Sequence, residues 1–161
     1  MGWWSYERTV EIDAALVDAW HYFSDLEGVV EWNDNLVGHE ILTGPPNEAG
    51  SVVVLHYDHG GKKSSTTVTT LEREDLKRIE QKYVSDGNES IGTAVFQSID
   101  FDSTQISMTI RFDMSNFSLV SRPLRKTLVK IMARDMMMRF GDFMTERRVA
   151  QLVSDIKEES L

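Results

Sequence analysis

The 161-residue chain contains no cysteine, and that absence removes disulfides, thiol nucleophiles and cysteine metal sites together. It is also short of positive charge, with 17 Lys and Arg against 26 Asp and Glu and a formal net charge of -9. A phosphate-binding surface needs clustered cations. The basic groups here (Arg122, Arg125, Lys126 and Lys130, then Arg147 and Arg148) are short and flanked by acids, so no nucleic-acid partner is expected. No apolar run approaches the ~20 residues that span a bilayer, and no integral membrane segment is expected. The start, MGWWSYERTVEID, lacks a basic stretch followed by an apolar run, and Tyr6 stands where a myristoylation signal carries Ser or Thr. The chain is read as cytoplasmic. Missing too are a glycine-flanked serine elbow, a phosphate-cradling glycine loop and a His-Glu-x-x-His pair. No catalytic residue is assigned, and neither a metal nor a cofactor is expected.

What is present is an ordinary globular composition, 41% hydrophobic and 27% charged. Residues 1–161 suit one domain, which at this size buries roughly 70% of its unfolded surface. In YERTVEI, Tyr6, Arg8, Val10 and Ile12 alternate with Glu7, Thr9 and Glu11, which predicts a strand with one solvated face. Asp13 is placed to cap a first helix on which Leu16, Ala19, Trp20 and Phe23 recur at helical spacing. SDLEGVVEWND reads as one or two short helical turns. From Leu36 onward, six β-type segments follow one another across glycine-, asparagine- and aspartate-rich turns, an antiparallel meander. In the last, Ile106, Met108, Ile110, Phe112 and Met114 make one apolar face. Ser121 and Pro123 then open a helix predicted to run to about Ile156, on the order of 50 Å, too long to lie anywhere but across a sheet.

This order, together with VEIDAALVDAWHYFSDLEGVVEWNDNL, resembles the helix-grip superfamily of START lipid-transfer domains, birch pollen allergen relatives and polyketide cyclase/dehydrase-like proteins. The matching positions are Ala14, Val17, Trp20, Asp25, Trp32 and, before the third strand, Gly50. The resemblance implies an α+β helix-grip fold: a curved seven-stranded antiparallel sheet wrapped around a long C-terminal helix, with two short helices after the first strand and a cavity between sheet and helix. It implies a small hydrophobic ligand, such as a lipid or polyketide-like molecule, as the partner of a monomer or homodimer. Fold alone does not fix function.

The residues offer candidates for that cavity. Val129, Met132, Met136, Phe140 and Phe143 follow helical spacing, flanked by Ala133 and Met144, and predict a stripe facing Met108, Ile110 and Phe112. Methionine is an adaptable wall for an apolar ligand, although it also serves simply to fill a core. Arg8 shares a side with Tyr6 and Val10. Were that the cavity side, its guanidinium would need an anionic partner from the protein or the ligand; otherwise it snorkels to water. Tyr57, Gln81, Tyr83 and Gln97 are further hydrogen-bonding candidates whose direction depends on register. His56 could orient a ligand or act as an acid/base, the feature a cyclase or dehydratase would need. His56 and His59 with Asp58 are too ill-directed along a strand to predict a metal site. A protein-interaction module using exposed Trp3 and Trp4 is the remaining alternative. The ladder Asp135, Arg139, Asp142 and Glu146 reads as an exposed ion-pair face.

Overall fold

A computed structural model describes residues 2–160. The elements are β1 (Trp3–Ile12), α1 (Leu16–Ser24), α2 (Leu26–Trp32), β2 (Leu36–Thr43), β3 (Val52–His59), β4 (Lys62–Glu74), β5 (Arg78–Ser85), β6 (Asn88–Asp100), β7 (Ser103–Asp113) and α3 (Arg122–Glu159). The seven strands form one antiparallel sheet in the order β1-β7-β6-β5-β4-β3-β2, so the meander from β2 to β7 is closed off by β1 on its far edge. α1, α2 and α3 cover its concave face.

The alternation read in β1 continues across the sheet through the pairing register. Val10 sits beside Ile106 and Phe96, while Arg8 begins the row Met108, Ala94, Ile79 and Arg73. A bulge between Thr70 and Glu72 is what turns Arg73 onto this concave side. There its guanidinium donates to Asp25 Oδ1 at 2.6 Å and stacks 5.1 Å from the Trp20 ring centroid. Asp25 also binds His21 Nδ1 at 2.9 Å, so this carboxylate ties α1 to β4. Gly50 has φ +88, a conformation in which a side chain would be strained.

Asp13 does not cap α1. The helix begins at Leu16 with Ala15 at its N-cap and no side-chain cap, and Asp13 instead accepts a hydrogen bond from Arg148 of α3. A charge-assisted pair with a guanidinium is stronger than a bond to a neutral amide. The same Arg148 donates to Asp102 Oδ2 at 2.6 Å, which pins α3 to the β6–β7 turn.

The inward face of α3 is turned from the stripe predicted above. Ala133, Met137, Phe140 and Met144 are its buried residues, with Met136 and Phe143 half-buried beside them. Met132 is 68% exposed and lies off this face, whereas Met137 is 3% exposed and central to it. Apolar residues wrap well over half of the helix circumference between Val129 and Met144, so periodicity leaves its rotation ambiguous by about one residue, or 100°. Small Ala133 lets the helix approach on the side that wins.

Two glycines give opposite expectations. A Cβ on Gly28 would fall 2.3 Å from the His21 carbonyl oxygen and 2.5 Å from Tyr22 Cα, because α1 and α2 meet backbone to backbone there. Gly28→Ala should therefore destabilise the protein by about 1–3 kcal/mol. Gly141 lies within the unbroken α3, and a Cβ there would rest 3.8 Å from Ile12 Cδ1, an ordinary contact. Gly141→Ala should stabilise it by about 0.5–1 kcal/mol. Urea denaturation of both variants checks the pair.

Candidate functional site

The concave face is fully buried at one end and only half-buried at the other. At the α1 end, Phe140 meets Trp32 and Phe23 edge-on at 5.1 and 5.3 Å, and Phe96 meets Trp20 at 5.0 Å. Ile106, Met108, Ala94 and Ile79 are buried beneath them. Towards the start of β1 the next two cross-strand rows are Tyr6, Ile110, Gly92, Gln81 and Thr70, then Trp4, Phe112, Ser90, Tyr83 and Val68. In both rows the residues from β1 to β5 are half-buried, although they point into the grip. A separate apolar cluster (Val53, Leu55 and Val68, with Leu26, Leu36, Tyr57 and Tyr83 against it) forms the opposite wall. The partly open ground between the two clusters is the candidate site.

α3 roofs this ground. Lys126 and Lys130 stand 5.8 and 5.9 Å from the Trp4 ring centroid, and Gly141 faces Ile12. The turn from Ala133 to Met137 therefore passes over the Arg8–Val10 stretch. Gly92 deepens the floor: a Cβ there would press to 3.2 Å from the Tyr83 ring. A glycine inside a strand marks such close approaches, and this is the sequence signal that would have found it.

The polar groups of the site are of two kinds. One is a satisfied chain along the floor: Tyr83 donates to Gln81 Oε1 at 2.9 Å, Gln81 Nε2 to Thr70 Oγ1 at 3.3 Å, and Ser51 Oγ to Thr70 Oγ1 at 3.2 Å. Burial raises the pKa of Tyr83 well above the usual phenol value, reinforced by Tyr57 beside it. Burial also raises that of Tyr57, against an opposing hydrogen bond with Asn33. Both phenols therefore stay neutral at physiological pH. The other kind is Arg8. Arg73, Arg78 and Arg148 each hold two carboxylates, but Arg8 holds none among the described residues, and its Nε is buried without a hydrogen-bond partner there.

The sequence candidates divide accordingly. Arg8, Tyr57, Ile110, Phe112 and Met136 belong to the open ground, joined by Gln81 and Tyr83, whose direction the register now fixes. Met108 and Phe140 are closed core, and Phe143 packs against Tyr22 at 5.3 Å, near α1. Met132 faces solvent. His56 points to the convex side with Val52 and Val54, where it bonds Ser65 Oγ at 2.8 Å. Gln97, out of phase with Phe96, also faces outward. Trp3 and Trp4 do not make one patch: adjacent strand residues face opposite ways, so Trp3 is exposed and Trp4 lies under α3. The Asp135–Glu146 ladder shows no ion pair within bonding distance among the described residues; its members simply face water. No group of three or more His, Asp or Glu gathers in metal-binding geometry among those residues. Nor is any helix of theirs long and apolar enough to cross a membrane.

An antiparallel seven-stranded sheet gripping a long C-terminal helix, with two short helices after the first strand, defines the helix-grip class. Within it, the chain belongs to the family described as polyketide cyclase / dehydrase and lipid transport, whose model matches residues 4–144. Among solved structures it is similar to Ara h 8.0201, with a TM-score of 0.74 at 11% identity over 90% of this chain and 99% of that one. The Zhui aromatase/cyclase from Streptomyces sp. R1128 superposes with a TM-score of 0.67 at 21% identity, covering 91% and 96%. A START superfamily protein from Mycobacterium smegmatis gives 0.66 at 19% identity, covering 92% and 98%. No curated protein sequence matches the chain. At these identities the likeness speaks for the fold.

Proposed function

We propose that the chain binds a small amphiphile between α3 and the open part of the sheet, with the apolar body over Ile110, Gly92 and Phe112 and an acidic end on Arg8. The carrying observation is the buried, unpartnered Nε of Arg8 on the concave face. Its Nε is shut off from water with no acceptor among the described residues, and a carboxylate that fits the planar fork of the guanidinium would supply one. A ligand burying roughly 300 Å² of apolar surface would gain about 7 kcal/mol before ordering costs. The contact at Arg8 would then select among apolar molecules of similar size. Tyr83, whose O–H is given to Gln81, leaves its phenol oxygen as a neutral acceptor on the far side of the floor. Native mass spectrometry of protein purified from its own host tests the reading: a co-purifying acidic amphiphile is expected, and persistent ligand-free protein that also ignores added dodecanoate would refute it.

The rival is a cyclase- or dehydratase-type enzyme, favoured by the family description and by the inward phenols of Tyr57 and Tyr83. Those phenols could donate a proton but stay protonated at neutral pH, so they are poor bases. His56→Ala bears on this. The side chain is on the convex face and 42% exposed, so dodecanoate affinity should change less than about twofold and stability by less than about 0.5 kcal/mol. A tenfold loss in either ligand affinity or turnover would bring His56 back into the site.

A further inference from the structure

The connection between β7 and α3 holds two large aliphatic side chains at the corner of a tight turn. Ser121 N donates to Ser118 O at 3.1 Å, and the hydroxyls reinforce it, Ser118 Oγ to Ser121 Oγ and Ser121 Oγ to Ser118 O, both at 3.0 Å. Leu119 and Val120 occupy the two corner positions, 76% and 92% exposed, and Leu124 in the first turn of α3 is 64% exposed. Such corners are normally Gly, Pro, Asn, Asp or Ser, each of which suits the turn or the water around it. The serine hydrogen bonds already close this turn, so its geometry does not call for two aliphatic residues.

The same segment is basic. Residues 114–134 hold five of the chain's 17 cations and none of its 26 acids, in a chain of net charge -9. Two of these cations lie at the turn itself. Arg122 Nε donates to Phe117 O at 3.2 Å, and the Arg125 guanidinium carbon stands 4.5 Å from the Phe117 ring centroid. Neither holds a carboxylate among the described residues, unlike Arg73, Arg78 and Arg148. Asp113, before the turn, accepts from Ser115 N at 2.9 Å. Asp86 lies on the β5–β6 turn, which Asn116 Nδ2 ties to this loop through Gly87 O at 3.0 Å. Arg122, Arg125, Lys126 and Lys130 outnumber those two acids.

We infer that this turn docks the protein on an anionic lipid bilayer, with Leu119, Val120 and Leu124 entering the headgroup region and Arg122 and Arg125 on lipid phosphates. Burial of the aliphatic corner and attraction of the unpaired cations act in the same place, the combination that holds a protein on such a surface. A nucleic acid would use the cations and leave the corner in water. Phe101 supplies the contrast within the molecule. It is 88% exposed on the β6–β7 turn at the other end of the sheet, but it stands between Asp100 and Asp102, which an anionic surface repels. Docking through Leu119 and Val120 presents the half-buried end of the grip to the bilayer: Phe117 packs 6.1 Å from Phe112, which lies in the row from Trp4 to Tyr83. Exchange of a ligand through that end rests on the amphiphile reading; the docking itself does not.

Co-sedimentation of the full chain with vesicles tests it. Binding should be on the order of tenfold tighter to phosphatidylcholine and phosphatidylglycerol in equal parts than to phosphatidylcholine alone, and should weaken as salt rises. Leu119→Ser/Val120→Ser leaves every charge in place and should weaken binding to the mixed vesicles on the order of tenfold. Its circular dichroism spectrum and its dodecanoate affinity should not change, because both side chains are already in water. Phe101→Ser should leave vesicle binding as it was. Four results would overturn the inference: no binding of the unmodified protein to mixed vesicles at low salt; equal binding to the two kinds of vesicle; undiminished binding in the double serine variant, which means a polyanion held by charge alone; or an equal loss in Phe101→Ser. Dodecanoate affinity is read in vesicle-free solution, so its failure would strike the ligand and leave the docking standing.

Discussion

Replacing Arg8 with methionine is expected to weaken dodecanoate binding on the order of 100-fold, about 2.7 kcal/mol, while leaving dodecanol binding nearly unchanged. Methionine keeps most of the apolar stem and removes only the guanidinium. A guanidinium with its Nε buried would form charge-assisted hydrogen bonds with a carboxylate, and losing one side of such a pair leaves the acid partly desolvated and alone. The neutral alcohol never made that pair, so the ratio of acid to alcohol affinity isolates the contribution of Arg8 from that of the apolar body. A second sign follows from the same cause. Without ligand, Arg8 Nε is buried with no acceptor among the described residues, so Arg8→Met should raise the stability of the ligand-free protein, by about 1 kcal/mol. Arg8→Lys should fall between, because an ammonium keeps the charge but not the planar fork. Isothermal titration calorimetry and thermal melts measure both signs. An unaltered acid-to-alcohol ratio in Arg8→Met would remove Arg8 from the site.

What could be read from the residues depended on whether the pattern was local. Period two in β1 is a local property, and it placed Tyr6, Arg8, Val10 and Ile12 on one side correctly. Turn chemistry is local too, and it delivered six strands in the right order. His56 failed because Val52 and Val54 on its side are as apolar as Val53 and Leu55 on the other. With both faces of β3 half-covered, alternation carries no direction, and only pairing with β4 and β2 decides it. Arg73 was missed because the bulge that turns it inward is a feature of two strands, not one. Met132 and Met137 changed places because α3 is apolar on two sides, one for the sheet and one outward. Gln81 and Tyr83 were named as candidates but could not be aimed without the register that puts them opposite Gly92 and Ser90.

Phe140→Ala separates the core from the site most sharply. The ring is 0% exposed, and three elements depend on it: Trp32 of α2, Phe23 of α1 and its own helix. Its removal should cost about 3–5 kcal/mol, combining lost burial, an unfilled cavity and two edge-to-face contacts. For a chain of this length that is a fall in melting temperature of roughly 10 °C. Met132→Ala, eight residues earlier on the same helix and on the stripe as first predicted, should cost less than about 0.5 kcal/mol because the side chain is already in water. Equal costs would mean that α3 is rotated from the position described. The two variants of this discussion also cross: Arg8→Met should lose the acidic ligand without losing stability, and Phe140→Ala should lose stability while, in whatever fraction stays folded, keeping the preference for dodecanoate over dodecanol. That crossing follows from a grip that is solid under Phe140 and half-covered from Arg8 towards the start of β1. If Phe140→Ala instead erased the preference at temperatures where the protein is still folded, the ligand would have to sit deeper, against α1, and Arg8 would be a bystander.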